Sequence, residues 1–412
     1  MNMEEISARL AGLAVFRGLL DDPVLADYSA LIGALARGAG RQAVCEAAGR
    51  FEAALFAADT DDLSGYIAAA VLECENICAR RAARGALSPT LEQALDSELQ
   101  FLEALSAMTL DGLLEAAGCD AGGFAFLPRW TAHPTGLANA YKARLSEMGQ
   151  RGYGMFARHH VFILSEEGRL TPVRHPDPQR LADLPGYERE REKIIANTKA
   201  LLAGLPANNV LLYGDAGTGK SSAVKAIANE YAPQGLRLVE VKKNQLYLLP
   251  DLMDKLAANP LKFILFIDDL SFAANDDNFA ALKAILEGSA GGRADNIAVY
   301  ATSNRRHLIK EMWQDRDDME YQGELHRSDT LEEKLSLSAR FGVTINFNAP
   351  NRQQYYDIVK GLAERQLRTD LSEEELLRLA NRWEIRHGGI SGRTAQQFIN
   401  YLAGKAPESG GK

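Results

Sequence analysis

The chain lacks the features of a secreted or membrane-spanning protein. No stretch approaches the roughly 20 consecutive apolar residues that a membrane helix needs. Only four cysteines occur among 412 residues. The first residues, Met1–Glu5, are acidic, whereas a secretory signal is basic and then apolar. We therefore expect a cytoplasmic protein with reduced thiols and no membrane span.

Metal-ligating residues are also scarce. Cys74 and Cys78 lie four residues apart, so on one helix they would share a face. No histidine or further cysteine lies nearby to complete four ligands. We expect Cys45, Cys74, Cys78 and Cys119 to be buried free thiols rather than part of a metal site.

The sequence has no excess of basic charge. It contains 46 Lys and Arg against 55 Asp and Glu, a formal charge of −9. Residues 1–150 hold 11 basic and 20 acidic side chains, and residues 151–412 hold 35 of each, so the whole excess lies in the first part. Nucleic-acid-binding proteins usually have a basic domain or stripe. This partner is therefore not favoured, although a local patch at Arg305 and Arg306 leaves it open.

The hydrophobic pattern divides the chain into unlike parts. Residues 1–150 are rich in Ala, Leu and Glu and poor in β-branched residues, which predicts an all-α domain. One helix start is explicit, with Ser88 as N-cap and Pro89 in the first turn. Residues 151–180 are predicted to form a linker that contains two short strands.

The pattern changes again between residues 181 and 349. Short apolar runs alternate with helical patterns, which indicates a parallel sheet covered on both faces. Five runs predict the strands Asn209–Tyr213, Leu236–Val241, Phe263–Ile267, Ile297–Ala301 and Val343–Phe347. Residues 350–404 are predicted to be helical, and residues 405–412 form a polar tail. The expected fold class is α/β, between an all-α domain and a smaller helical domain.

A glycine-rich loop follows the first predicted strand of this sheet. Residues 214–221 satisfy the P-loop pattern G-x-x-x-x-G-K-[ST] and lie between a strand and a helix, as the motif requires. Backbone N–H groups and the helix N-terminus favour phosphate oxygens there. We expect Lys220 to reach the β- and γ-phosphates of ATP and Ser221 to bind Mg²⁺. The predicted ATP-binding residues of this segment are Gly214, Asp215, Ala216, Gly217, Thr218, Gly219, Lys220, Ser221 and Ser222.

Polar side chains also end two later strands. Asp268 lies where Mg²⁺ needs a hard oxygen ligand, usually through water, and Asp269 can polarise an attacking water. Helix-capping acids are the structural alternative for this pair. The next strand runs into Asn304, whose amide can hydrogen-bond the water or the γ-phosphate. The predicted catalytic residues so far are Lys220, Asp269 and Asn304.

Together these motifs resemble the AAA+ ATPase superfamily over residues 180–404. They correspond to Walker A, Walker B and sensor 1, and Ser-Ala-Arg-Phe-Gly at 338–342 is similar to the arginine-finger segment of the initiator branch. The sequence resembles most closely an uncharacterised bacterial family of predicted ATPases, domain of unknown function 815. Resemblance to that family implies a fold and an ATPase activity, but the family has no assigned macromolecular substrate. The segments that carry the closer resemblance are 266–272, 300–308 and 334–338.

The resemblance implies a specific architecture and mechanism. The sheet would have five parallel strands in the order 5-1-4-3-2, followed by a helical lid. ATP would be hydrolysed with Mg²⁺ between subunits of a homo-oligomer, of which a hexameric ring is one form. Arg340 would act as the finger on a neighbour's ATP, and Arg393 would be the sensor-2 arginine that contacts the γ-phosphate of its own subunit. A plain surface position is the alternative for either arginine.

Two features depart from the usual AAA+ pattern. Most members carry Glu where this chain has Asp269, whose side chain is one methylene shorter, so we expect slow hydrolysis. The polar stretch 305–340 is unusually long and is either a solvated or a functional loop.

Three functions are compatible with these patterns. The favoured one is an ATPase that remodels an unidentified macromolecular partner, recruited by residues 1–150. The second is a nucleic-acid-linked protein similar to an initiator or helicase loader. The third is a nucleotide-gated scaffold with little turnover. Phosphate release with and without single-stranded DNA would separate them.

Overall fold

The structure, a computed structural model, describes residues 1–82, 85, 87–272, 277–287, 294–304, 339–367 and 371–404. The predicted tail and most of the 305–340 stretch lie outside these ranges. The chain divides into two units, Met1–Arg158 and His159–Lys412. Within the described ranges, no helix has the length and apolar character needed to cross a bilayer.

The unit Met1–Arg158 is built from helices. Side chains cap the starts of two of these helices. The side chain of Asp22 accepts backbone N–H groups at the start of the helix that begins at Pro23, and the side chain of Ser88 accepts one at the start of the helix that begins at Pro89. The predicted helix start at Ser88 and Pro89 is therefore confirmed. The α-helices in the described part are α1 Met3–Ala11, α2 Pro23–Ala36, α3 Arg41–Ala57, α4 Leu63–Glu73, α5 Ile77–Ala82, α6 Pro89–Ser106, α7 Leu110–Ala116, α8 Leu137–Ser146, α9 Met148–Arg151 and α10 Met155–Arg158.

Aromatic rings and leucines form the core of this unit. Phe51 on α3 packs edge-on against Trp130, with ring centroids 4.9 Å apart, and lies 4.8 Å from the ring of Tyr28 on α2. Phe51 and Tyr28 are fully buried. Burying each such side chain contributes roughly 1.5–3 kcal/mol, so this cluster is a main source of the unit's stability.

The cysteines do not match the expectation for them. Cys74 caps the end of α4 and Cys78 lies within α5, so the two residues do not share one continuous helix. Cys78 is buried, whereas Cys45, Cys74 and Cys119 are partly exposed. The prediction of four buried thiols is therefore wrong for three of them. No cluster of His, Cys, Asp or Glu able to hold a metal ion occurs in the described residues.

The unit His159–Lys412 contains a seven-stranded sheet in its described part. Its order is β2-β1-β4-β5-β6-β3-β7, and every neighbouring pair is parallel except β1 and β2. The strands are β1 Val161–Leu164, β2 Leu170–Pro172, β3 Val210–Gly214, β4 Leu236–Glu240, β5 Lys262–Ile267, β6 Ile297–Ser303 and β7 Val343–Phe347.

The prediction of a five-stranded sheet is wrong in strand number, and the full order differs accordingly. β7, β3, β6, β5 and β4 keep their predicted relative order, but β1 and β2 extend the sheet beyond β4. Val161 of β1 pairs in parallel with Leu238 of β4, and β2 forms an antiparallel hairpin with β1. Without them β4 would be an edge strand with unpaired backbone groups. The segment predicted as a linker thus supplies two strands.

Helices pack on this sheet and form a separate group after it. Ile194 on the first helix and Val224 on the second pack into the core of the sheet. The last three helices have a core of their own around Tyr355, Leu362 and Phe398, and we call them the lid. The helices are α11 Glu188–Leu202, α12 Lys220–Tyr231, α13 Leu249–Ala257 and α14 Asp277–Glu287, with α15 Arg352–Gln366, α16 Glu373–Arg386 and α17 Gly392–Ala403 in the lid.

Buried hydrogen bonds fix β6 against its neighbours. The Asn197 amide on α11 donates to the Tyr300 hydroxyl at 3.0 Å, and the Thr198 hydroxyl lies 2.8 Å from the same oxygen. The side-chain Oδ1 of Asn209 accepts the Val299 backbone N–H at 3.0 Å. Because β3, β5 and β6 are parallel and held in register, their carboxyl ends meet at one edge of the sheet.

Candidate functional site

The loop between β3 and α12 is built around glycine. Gly214 has φ 132° and Gly219 has φ 88°, values that side-chain-bearing residues rarely adopt. A Cβ atom at Gly214 would collide with the Phe347 carbonyl oxygen on β7. At Gly219 no described atom lies within 4 Å of the Cβ position, so this side of the loop faces open space. Glycine at these positions therefore leaves a concave backbone surface, which we call the cradle, and side chains there would occupy its space.

Lys220 begins α12 and is 6% exposed. Its Nζ donates to the carbonyl oxygens of Gly214 at 3.0 Å and Asp215 at 2.7 Å, and to Asn304 Oδ1 at 3.2 Å. Burial lowers the pKa of the Lys220 ammonium group, and nearby carboxylates oppose that shift. The cradle therefore holds a buried cation whose present partners are neutral oxygens.

The two carboxylates after β5 are bound by residues from α12, from β6 and from the position directly after β6. The Ser221 hydroxyl of α12 donates to Asp268 Oδ1 at 2.6 Å. The Thr302 hydroxyl of β6 donates to the same oxygen at 2.5 Å. The Asn304 amide donates to Asp269 Oδ1 at 2.8 Å. The predicted Walker A, Walker B and sensor 1 residues therefore form one hydrogen-bonded group.

The hydroxyl of Ser221 and the carboxylate of Asp268 have the chemistry of a magnesium site. Mg²⁺ prefers hard oxygen ligands and is commonly held by one or two carboxylates together with water and substrate phosphates. Here the two side chains already touch, beside a loop with open space. The residues present therefore fit a Mg²⁺ ion bound together with a phosphate.

A cavity of about 610 Å³ adjoins this group, a size typical of small-molecule sites. Apolar residues that the sequence analysis did not identify also line it. They come from the segment before α11, from the end of β7 and from the lid, and no fixed spacing relates them. Tyr187 has φ 59° and stacks on Phe347, with ring centroids 5.3 Å apart. The apolar lining consists of Leu184, Pro185, Tyr187, Phe347, Ile358 and Leu362.

Most of the predicted ATP-binding segment lines this cavity. Residues 216–222 do so, whereas Gly214 and Asp215 do not. The Asp215 carboxylate instead accepts the Ala349 N–H at 2.6 Å, and its own N–H donates to the Phe347 carbonyl at 3.0 Å. Asp215 therefore attaches the loop to the end of β7.

The two predicted arginines occupy different places. Arg393 at the start of α17 lines the cavity, and its backbone N–H donates to the Gly217 carbonyl at 3.0 Å. Arg340 is absent from the cavity lining and forms an ion pair with Glu287 of α14. The structure thus brings Arg393, but not Arg340, to the P-loop of the same chain. Ser338, the first residue of the predicted finger segment, lies outside the described residues.

The fold is that of an α/β protein with a mostly parallel sheet, and it is consistent with a P-loop core. Residues 157–406 match the family described as "Protein of unknown function (DUF815)", and the chain belongs to that family. A segment of 65 residues is 40% identical to "Replication factor C large subunit" of Staphylothermus marinus. That match covers 16% of this chain and 15% of the relative's length. Both findings agree with the resemblance to the AAA+ superfamily.

Proposed function

We propose that this chain is a Mg²⁺-dependent ATPase of the AAA+ type. The observation that carries the proposal is the single hydrogen-bonded group of Lys220, Ser221, Asp268, Asp269 and Asn304 beside the open glycine loop. Phosphoryl transfer needs a cation for the phosphates, oxygen ligands for the metal and a group that positions the attacking water. This group contains all of these side-chain types, which supports ATP as the substrate.

Each residue has a defined role in this proposal. Lys220 exchanges its carbonyl partners for the β- and γ-phosphates, and N–H groups of residues 216–222, which line the cavity, bind the remaining phosphate oxygens. Ser221 and Asp268 hold Mg²⁺, which when bound neutralises charge on those oxygens. Asp269 and Asn304, already hydrogen-bonded to each other, orient the attacking water.

Arg393 gives the lid a part in the same reaction. The Arg393 backbone is hydrogen-bonded to the glycine loop, and Arg393 lines the cavity. Its guanidinium group is therefore suited to contact the γ-phosphate. Apolar lid residues Ile358 and Leu362, together with Leu184, offer a surface for the base. We therefore expect nucleotide to change the position of the lid.

The direct test measures ATP binding calorimetrically and phosphate release from the full-length chain, with and without Mg²⁺. We expect tight Mg²⁺–ATP binding and slow turnover, because Asp269 is shorter than the usual Glu. Absence of nucleotide binding would contradict the proposal. Binding without any turnover would favour the scaffold alternative.

Arg340 is the basis for proposing a homo-oligomer. Its side chain is 27% exposed, pairs with Glu287 and is not part of its own cleft, so it is useful for catalysis only at a neighbour's ATP. We expect phosphate release to rise more than linearly with protein concentration. Arg340→Ala should bind ATP without turnover, and mixing it with Lys220→Ala should restore activity at interfaces that pair an intact finger with an intact P-loop. Full activity of a dilute monomer would contradict this mechanism.

The biological role is proposed in two forms. In the favoured one, hydrolysis remodels a macromolecular partner that the helical unit Met1–Arg158 recruits. A nucleic-acid-linked role is the second candidate, because the 65-residue match is to a subunit of replication factor C. The equal numbers of acidic and basic residues in 151–412 oppose it. Stimulation of turnover by single-stranded DNA would favour the second form.

A further inference from the structure

We infer that Thr302 is a positioning residue that holds the Asp268-Asp269 pair in its working geometry. This inference rests on the proposed ATPase function, for which Asp268 is a metal ligand and Asp269 orients water. Thr302 lines the cavity, but its hydroxyl is engaged by Asp268 and Asp269, so it is inferred to act through these two acids.

Thr302 contacts three successive residues of the turn that follows β5. Its hydroxyl donates to Asp268 Oδ1 at 2.5 Å and accepts the backbone N–H of Asp269 at 2.9 Å. Its backbone carbonyl accepts the N–H of Leu270 at 2.7 Å. A hydroxyl has one proton, so donating to one acid and accepting from the next fixes its orientation. Thr302 is 2% exposed, which removes water as a competing partner.

The turn needs such support because of the backbone of Asp269. This residue has φ 51°, in the left-handed region that residues other than glycine seldom occupy. Conformations of this kind persist when surrounding contacts enforce them. The hydrogen bond from the Asp269 N–H to the Thr302 hydroxyl is such a contact, and it holds the backbone from which the Asp269 side chain projects.

Thr302 and Asn304 divide the orientation of the acid pair between them. Thr302 lies near the end of β6 and Asn304 directly follows that strand, and both side chains reach the turn after β5. Asn304 binds the Asp269 side chain, whereas Thr302 binds the Asp268 side chain and the Asp269 backbone. The strand after β5 therefore aligns both carboxylates.

In this proposal, the hydrogen bond from Thr302 to Asp268 is kept when Mg²⁺ binds, whereas the hydrogen bond from Ser221 to Asp268 is given up. Ser221 donates to the same Asp268 oxygen, but its hydroxyl is proposed to turn toward Mg²⁺. Thr302 has no such second task. Among the described residues no hydrogen bond reaches Asp268 Oδ2, so that oxygen is left available while Oδ1 is held. Groups that orient metal ligands in this manner commonly affect metal affinity or activity by about 10–100-fold.

The test compares Thr302→Val, Thr302→Ala and Thr302→Ser in the full-length chain. The first readout is the affinity for ADP with and without Mg²⁺, measured by calorimetry, and the second is turnover. We expect Thr302→Val to reduce the Mg²⁺-dependent gain in ADP affinity about 10-fold and turnover about 10–100-fold. Its affinity for ADP without metal should stay within about twofold of wild type, because the phosphate cradle is untouched.

The serine and alanine variants isolate the hydroxyl. They differ from each other only by that group, so their comparison remains decisive if the valine variant fails to fold. Thr302→Ser should recover both readouts to within about threefold of wild type, and Thr302→Ala should not. Thr344→Val is the matched control, since Thr344 is exposed on the edge strand β7. It should leave both readouts unchanged.

Two results would overturn the inference. One is wild-type metal dependence and turnover in Thr302→Ala. The other is a serine variant as impaired as the alanine variant, which would assign Thr302 a packing role. If the wild-type chain itself fails to bind ADP, the proposed function is wrong, and that failure is separate from any effect of Thr302.

Discussion

Both units of the chain contain buried polar side chains, but these side chains have different surroundings. In Met1–Arg158, the buried Ser64 hydroxyl donates to the Ser106 carbonyl at 2.8 Å, a bond that ties two helices together. In His159–Lys412, Lys220 and Thr302 are equally buried but lie where three strands and a glycine loop meet. A buried polar group is costly unless it is hydrogen-bonded, so both units satisfy the same physical demand.

The difference lies in what the buried groups face. The partners of Ser64 are backbone groups of other segments, the Ser106 carbonyl and the His133 N–H. The partners of Lys220 are loop carbonyls and the amide of Asn304, beside a cavity. Burial next to open space, rather than burial alone, therefore indicates the reactive part of this molecule.

The largest effect is expected for Lys220→Ala. If Lys220 serves the phosphates rather than the fold, its removal should weaken ATP binding by at least about 100-fold, since no other loop side chain supplies that charge. Calorimetric titration with Mg²⁺–ATP measures this. Lys225→Ala on the same helix is the matched control, because Lys225 pairs with Glu240 at 3.6 Å. Equal affinity in Lys220→Ala and wild type would make Lys220 a structural residue.

Asp269→Asn should retain ATP binding but lose turnover by about 10²–10⁴-fold, the usual contribution of a water-orienting base. Asparagine also tolerates the left-handed backbone of Asp269, so the turn should persist. Phosphate-release kinetics at saturating ATP provide the measurement, with Asp254→Asn on the exposed face of α13 as control. Unchanged turnover would transfer the water-orienting role to Asn304.

Much of the site could be predicted from sequence because its chemistry fixes the spacing. A phosphate loop needs glycines at set positions before Lys220 and Ser221, and parallel strands deliver Asp268 and Asn304 to one edge. The structure brings these residues together, while their roles remain predictions. Thr302 could not be recognised in the same way, because a hydroxyl at a strand end has no distinguishing spacing.

The fold was less predictable where a segment's structure depends on residues far away in the sequence. The strands β1 and β2 were assigned to a linker because nothing local in 151–180 shows that β4 needs a neighbour. The run 156–164 is strand-like in sequence, but residues 156–158 belong to the helix α10 and the strand β1 begins only at Val161. The cysteine pair was misjudged because a helix break between Cys74 and Cys78 has no strong sequence signal.

A third prediction concerns the core of the helical unit. Phe51→Ala removes a fully buried ring and should destabilise Met1–Arg158 by about 3–5 kcal/mol. ATP affinity should not change, because the cleft lies in the other unit. Hydrogen exchange followed region by region in denaturant would measure both. Phe56→Ala on the same helix is the control, since Phe56 is 52% exposed and should cost much less. A fall in ATP affinity would show that the units depend on each other.

The smallest effect is expected from Glu52, the buried acid beside Phe51. It is 3% exposed and its Oε1 lacks a hydrogen-bond partner within the described residues. Burial raises its pKa from 4.5 to about 7, and the charge of Arg129 opposes that shift. The folded state therefore keeps the proton at pH values where the unfolded chain has lost it. Stability contributed by this group is complete below about pH 4.5 and is lost as pH rises through about 7.

Glu52→Gln tests this dependence, because glutamine keeps the shape of the protonated acid without titrating. The variant should equal wild type in stability near pH 4.5 and exceed it by about 3 kcal/mol at pH 8. Urea unfolding at both pH values measures the difference, with the exposed Glu46→Gln on the same helix as control. A stability difference that does not vary with pH would mean that Glu52 does not titrate in this range. The buried acid would then be a fixed part of the core, as Ser64 is, and the distinction between the two units would become sharper.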